Sequence, residues 1–185
     1  LEQYCANLTL TYNSPDRYLG GVTYGGYTDS IVVNDHFVLH VPSNLNLAGV
    51  APLLCAGITT YSPIRHWGVT NGKKVGVVGL GGLGHMAVKF AAAYGCDVTA
   101  FTSSESKFDE ARQFGANHVV ATRDSAGVKK LAGSFVLLVS TVTVSLDGVA
   151  MIAALPPNGR LHVVGAVLEP IPVAAFSLIL GQRSV

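Results

Sequence analysis

Lys74-Val75-Gly76-Val77-Val78-Gly79-Leu80-Gly81-Gly82-Leu83-Gly84 is the stretch that decides the fold. Residues 74–78 are dominated by valine and carry no polar alternation, the pattern of a strand buried on both faces. Immediately after them comes G-x-G-x-x-G. Beyond it, Met86, Val88, Phe90 and Ala91 begin a helix predicted over residues 83–94 and stopped by Gly95. In a chain with 21 glycines the spacing alone carries little weight, and an ordinary strand-to-helix turn is the competing reading. Position between a buried strand and a helix gives the spacing its meaning. Gly79 then permits a tight turn, Gly81 lets a pyrophosphate approach the backbone, and Gly84 lets helix and strand pack closely. Leu80, Gly82 and Leu83 complete the loop. Free amides at the helix start, aided by its dipole, face the phosphates.

Outward from this stretch the alternation repeats. Towards the C-terminus, strands are predicted at residues 97–101, 118–121, 135–140 and 161–164. Helices fall at 106–114, 146–155 and 176–180, with a last strand starting near Arg183. Towards the N-terminus, residues 47–55 and 59–66 read as short helices. Before residue 45 the character changes to short β-rich pieces at 24–27, 30–33 and 37–42, separated by turn chemistry. The chain thus divides into a β-rich segment, residues 1–45, and an α/β domain, residues 46–185. The β-α-β order predicts a Rossmann-type, doubly wound parallel sheet.

Composition narrows the function classes. Charged residues are 12% and apolar residues 49% of the chain, against a usual charged share of about 25%, so a folded globule is expected. Near balance of 12 basic and 11 acidic residues offers no field for nucleic acid or an anionic membrane. No apolar run approaches the roughly 18 residues of a membrane span. The start at Leu1 lacks an initiator Met and the order of a signal peptide, which suggests a fragment. Three widely spaced cysteines imply no disulfide framework and make a reducing cytoplasm the default.

The second strand indicates which dinucleotide fits. NAD sites usually place Asp or Glu about 20 residues after the glycine motif. Here the strand ends in Phe101-Thr102-Ser103-Ser104-Glu105-Ser106-Lys107, with no acid at 101–103. Ser103, Ser104 and Lys107 are suited to surround a 2′-phosphate. Charge-assisted bonds of this type are worth about 1.5–3 kcal/mol each, enough for a preference on the order of ten- to several-hundredfold. The reading is NADP(H). Glu105 dissents, unless it caps the next helix.

Gly26-Tyr27-Thr28, the run from Ala51 through Cys55 to Thr59, Tyr61-Ser62-Pro63 and the run from Gly79 to His85 together resemble zinc-dependent medium-chain alcohol dehydrogenases. The nearest branch is the cinnamyl-alcohol-dehydrogenase-like one, with its bacterial aldehyde reductases, and the resemblance covers essentially the whole chain. It implies reduction of an aldehyde by NADPH, or the reverse, in an enzyme that is usually a homodimer. Residues 1–45 would be the end of a GroES-like catalytic domain. Cys55 falls on a ligand of the catalytic zinc and Cys5 on the last of four cysteines around a structural zinc. The likeness places Thr59 near the nicotinamide, and Ser103, Ser104 and Lys107 at the 2′-phosphate. Thr141, Val142, Val164, Gly165 and Ala166 fall on loops lining the cofactor. Ser184 and Val185 begin a stretch that completes the nicotinamide pocket.

Departures limit what this implies. The family's other catalytic ligands and the three cysteines preceding Cys5 are not in the chain, and a catalytic zinc needs three protein ligands plus an open position. The chain as given is therefore expected to bind NADP(H) without turnover. An acidic residue is expected at Val136 and is not there. His85 reads as packing or local solvation with phosphate contact as the alternative, and His66 as a charge at a helix end. His36, His40, His118 and His162, in or beside strands, show no ligand spacing, and Cys96 reads as inert. No G-x-S-x-G, P-loop or H-E-x-x-H run occurs. Two rivals stand: a zinc-free quinone or enoyl reductase, which Cys5 and Cys55 disfavour, and a non-enzymatic NADP(H)-sensing module on the same fold.

Overall fold

The computed structural model describes residues 2–185, which divide into two compact units, one ending at Ser43 and one spanning Asn44–Val185. In the smaller unit, β1 (Tyr12–Pro15) and β2 (Val22–Tyr24) form an antiparallel pair. The turn between them is held by Asp16, whose Oδ1 accepts from the amides of Tyr18 and Leu19 at 2.8 and 3.0 Å. Thr23 Oγ1 ties the pair together, accepting from the Ser14 amide at 3.1 Å and donating to the Leu10 carbonyl at 2.9 Å.

Strands expected at 30–33 and 37–42 do not form. Residues 30–33 carry no regular structure, and a 3-10 turn, Asp35–Phe37, is capped by the Asn34 side chain. Alternating residues supply a face, but a strand also needs a neighbouring ladder for its amides. Within this unit only β1 and β2 pair among the described residues, and Val32 is fully exposed.

The larger unit opens with α1 (Leu47–Val50), capped by Asn46, then a 3-10 turn, Ala51–Leu54. Helix α2 (Ala56–His66) follows and begins a turn earlier than residue 59. The core alternation runs β3 (Lys74–Val78), α3 (Gly82–Ala93), β4 (Asp97–Thr102), a 3-10 turn Glu105–Lys107, α4 (Phe108–Gln113) and β5 (His118–Ala121). It continues through α5 (Ser125–Lys130), β6 (Leu137–Ser140), α6 (Gly148–Ala153), β7 (Arg160–Val163) and α7 (Ala175–Ile179).

Helix α5 has no counterpart in the sequence reading. Asp124 starts it by accepting from the Gly127 amide at 2.9 Å, while its only sizeable apolar residue, Val128, is half-buried. So short a helix shows no periodicity to read.

The sheet is parallel, in the order β5-β4-β3-β6-β7. Val75 lies between Val98 and Leu137, and Val78 between Phe101 and Ser140. Each face has its own core. Val75, Val77, Val98, Leu137 and Val139 pack with Ala87, Val88 and Ala91 of α3 and Ile64 of α2. On the opposite face Val78, Phe101, Leu138 and Leu161 pack with Phe135 and with Met151 and Ile152 of α6. Coverage of both faces explains why the strands read as unbroken apolar runs. Parallel pairing also gathers all five carboxyl ends at one edge, where the order reverses between β3 and β6. Among the described residues no single helix is long and apolar enough to cross a membrane.

Phe135 is 1% exposed and meets Phe101 edge to face at 5.7 Å between centroids. Phe135→Ala is expected to lower the free energy of unfolding by about 3–5 kcal/mol, read from urea denaturation.

A second expectation concerns pH. Burial, and then the charge of His66, push the His162 imidazole below its ordinary range. Its Nδ1 accepts from Trp67 Nε1 at 3.5 Å, which needs that nitrogen unprotonated. As pH falls through the unfolded value of about 6.5, the unfolded chain takes a proton that the folded chain resists, so stability falls. Melting temperature should drop between pH 7.5 and 5.5, and His162→Gln should shrink that drop.

Candidate functional site

The carboxyl edge of the sheet opens into a cleft of about 520 Å³. Its floor is the glycine loop after β3, its sides the segments after β4 and β6. Residues from these two segments flank the reversal of strand order, where open α/β sheets take ligands.

Close packing shapes the loop. Gly79 has φ +93°, the left-handed region that favours glycine, and a Cβ there would meet Val142 Cγ1 at 2.6 Å. At Gly84 a Cβ would fall 2.0 Å from the Gly79 carbonyl oxygen, a backbone atom with no freedom to swing aside. Helix α3 thus enters against the turn with no room for a side chain. Its first turn carries no side-chain cap. The amides of Leu80, Gly81 and Gly82 have no acceptor among the described residues, and the helix dipole adds partial positive charge there.

Ser103, Ser104 and Lys107 lie at one lip of the cleft. The Lys107 Nζ donates to the Leu80 carbonyl at 2.8 Å, so its ammonium sits against the glycine loop. Ser104 Oγ lies 2.7 Å from Ser106 Oγ. Glu105 makes no side-chain cap of the turn it opens, contrary to the role offered for it. At the other lip Thr141 Oγ1 lies 3.0 Å from the Val78 carbonyl and 3.2 Å from that of Gly79, and Val142 stands beside it. Phe101, Val142, Leu146 and Met151 give the cleft an apolar wall.

Of the expected site residues, Gly79, Leu80, Gly81, Ser103, Ser104, Lys107, Thr141 and Val142 meet in this cleft. Gly82, Leu83 and Gly84 form the adjoining first turn of α3. Val164 and Gly165 do not line it. Both donate amides to the Ser140 carbonyl, and Gly165 presses on the Val142 backbone, where a Cβ would meet the carbonyl oxygen at 2.0 Å. Exposed Ala166 follows them.

Ser184 stands elsewhere. It bridges in parallel to Arg160, the first residue of β7, which puts it at the amino edge of the sheet, away from the cleft. A strand's first residue cannot reach the edge where its last residue lies. Thr59 is half-buried on α2, its amide donating to the Cys55 carbonyl at 3.0 Å. Cys55 and Cys5 are exposed thiols. Among the described residues no three His, Cys, Asp or Glu side chains gather as a metal site, so the donors present do not make up a zinc site.

The sequence reading missed Thr122, Thr143, Ser145 and Asp147, which also line the cleft. Asp147 caps α6 by accepting from the Ala150 amide at 3.0 Å. A cap residue directly before a helical run was the available signal for it. His85 settles into local contacts: its Nδ1 lies 3.1 Å from the Gly81 carbonyl and its ring 5.4 Å from Phe114.

Comparison with known proteins agrees with this architecture. The profile of the zinc-binding dehydrogenase family matches residues 82–185. The chain is 49% identical over its full length to a probable formaldehyde dehydrogenase of Bacillus subtilis, covering 53% of that protein. A cinnamyl alcohol dehydrogenase structure from Sorghum bicolor superposes with a TM-score of 0.93 at 44% identity, over 98% of this chain and 52% of that one. One from Helicobacter pylori, complexed with NADP(H), superposes at 0.87 with 38% identity, over 99% and 53%. The chain spans about half the length of the curated relatives it matches.

Two neighbouring glycines make contrasting tests. Gly84→Ala must push α3 off the turn, and is expected to lower the melting temperature and weaken dinucleotide binding on the order of tenfold or more. Gly82 faces open space, so Gly82→Ala should keep the melting temperature or raise it, since alanine favours the helix by up to about 1 kcal/mol.

Proposed function

The chain belongs to the zinc-binding dehydrogenase family, and from that premise we propose that it is the NADP(H)-binding portion of an alcohol dehydrogenase or aldehyde reductase. In the intact protein, hydride passes between NADPH and an aldehyde or its alcohol. The observation that carries this reading is the pairing of three unpartnered amides, on Leu80, Gly81 and Gly82, with Ser103, Ser104 and Lys107 across the same cleft. The first set suits a diphosphate and the second a 2′-phosphate.

The cofactor, when bound, supplies the hydride chemistry. The chain's own groups bind and orient it. The loop amides take the diphosphate, while the Lys107 ammonium neutralises the 2′-phosphate from a position fixed on the Leu80 carbonyl. The wall of Phe101, Val142, Leu146 and Met151 offers an apolar slot for the flat base. Thr59, at the start of α2, belongs to the nicotinamide end of the same reading. Residues 1–45 are read as the end of the catalytic domain, and residues 46–185 as the cofactor domain. Cys55 and Cys5 are read as single members of zinc sites whose other ligands lie outside this chain. A zinc-free reductase has no use for either thiol. We further propose a homodimer, in the reducing cytoplasm to which three widely spaced cysteines point.

The test is a titration of this chain with NADPH and with NADH, followed by melting temperature. NADPH is expected to raise it more at equal concentration. Ser103→Asp should erase that preference by placing a carboxylate against the 2′-phosphate, a change of tenfold or more in the affinity ratio. An equal response of the unsubstituted chain to both dinucleotides would overturn the cofactor assignment.

A further inference from the structure

Four consecutive carbonyls of the glycine loop accept from side chains of three different elements. Thr141, just after β6, reaches the carbonyls of Val78 and Gly79 at 3.0 and 3.2 Å. Lys107, just before α4, donates to Leu80 at 2.8 Å. His85, in α3, lies 3.1 Å from Gly81 through Nδ1. A carbonyl oxygen only accepts, so Nδ1 of His85 carries the proton. The next amides along the chain, on Leu80, Gly81 and Gly82, donate to nothing among the described residues.

The two sets are covalently linked. Each peptide unit is planar, with its C=O and N–H pointing in opposite senses. Fixing the carbonyl of Gly79 fixes the amide of Leu80. Holding Leu80 sets Gly81, and holding Gly81 sets Gly82. Three peptide planes are thus each gripped on the acceptor side by one donor side chain.

We propose that Thr141, Lys107 and His85 act as a collar that orients the loop's peptide planes, so that the ligand meets a row of donors whose opposing acceptors are already satisfied. Thr141 and His85 are then positioning residues, acting on the dinucleotide through the backbone. The collar rests on the reading of this cleft as a diphosphate site. It explains why glycines, which alone would leave the loop free to rotate its peptides, here hold one arrangement. It also assigns the Thr141 hydroxyl to the backbone, although the residue lines the cleft. Because the diphosphate is common to both dinucleotides, loss of the Thr141 or His85 bond must weaken NADPH and NADH alike, whereas Lys107 also faces the 2′-phosphate.

Thr141→Val removes the donor while keeping the shape, and Thr141→Ser keeps the donor. Titration with NADPH and with NADH, read by fluorescence of the reduced nicotinamide, should show Thr141→Val weakened roughly fivefold to tenfold for both. Thr141→Ser should stay within about twofold of the parent chain. A loss confined to NADPH, an unchanged Thr141→Val, or an equal loss in Thr141→Ser would overturn the collar. Amide exchange separates this from failure of the cofactor reading. If the parent chain binds neither dinucleotide, that reading falls, and the collar is judged by the amides of Gly79 and His85, which bond within the protein. Exchange at least fivefold faster in Thr141→Val upholds it, and unchanged exchange overturns it.

Discussion

The structure depends on one close approach, that of the α3 backbone at Gly84 to the carbonyl of Gly79. No side chain fits between them. That contact sets the angle at which the helix leaves the strand, and the angle decides which sheet face the helix covers. Val88 and Ala91 then land on Val75, Val77 and Val98, and the amides of the first helical turn come to the edge where the strands end. Core and cleft are two results of the same steric requirement. A larger residue at Gly84 would disturb both, because the obstacle it meets is backbone.

Much of this was open to reading from residue types. The valine run of β3 was legible because both of its faces are covered, leaving no polar alternation to confuse it with a surface strand. Strand β5 was legible for its β-branched pair, Val119 and Val120. That Ser103, Ser104 and Lys107 gather at one lip of the cleft was legible from their place just after β4, at the carboxyl end of the strand next to the glycine loop. Strand β1 was not, because Tyr12-Asn13-Ser14-Pro15 has neither alternation nor β-branching, and its pairing depends on Thr23 from across the hairpin. Ser184 was misplaced because its role was assigned by likeness to a stretch beginning there, while its position follows from pairing with the first residue of β7. The Thr141 bond spans more than sixty residues of sequence, and no local pattern announces such a partner.

The zinc chemistry implied by family membership has a different standing from the dinucleotide site. The proposed phosphate cradle is local: strand, turn and first helical turn are contiguous, and two serines and a lysine would complete it from the next crossover. Metal ligands come from distant parts of a chain, so a single cysteine such as Cys55 says little by itself. Its place one residue before α2 leaves the thiol exposed, where ligands from elsewhere in a longer protein have access to it. The two kinds of site thus differ in how much of each a single stretch of chain can hold.

The glycines of the loop carry one more consequence. Gly82 and Gly84 sit in the first turn of α3, each a poor helix former by roughly 1 kcal/mol relative to alanine. By propensity, the end of the helix proposed to meet the anion is therefore its weakest end. An anion lodged there would supply the missing hydrogen-bond acceptors and quiet the fraying in one step. Local order in this segment is then linked to occupancy: side chains hold the carbonyl side of the turn, and an occupant would secure its amide side as well.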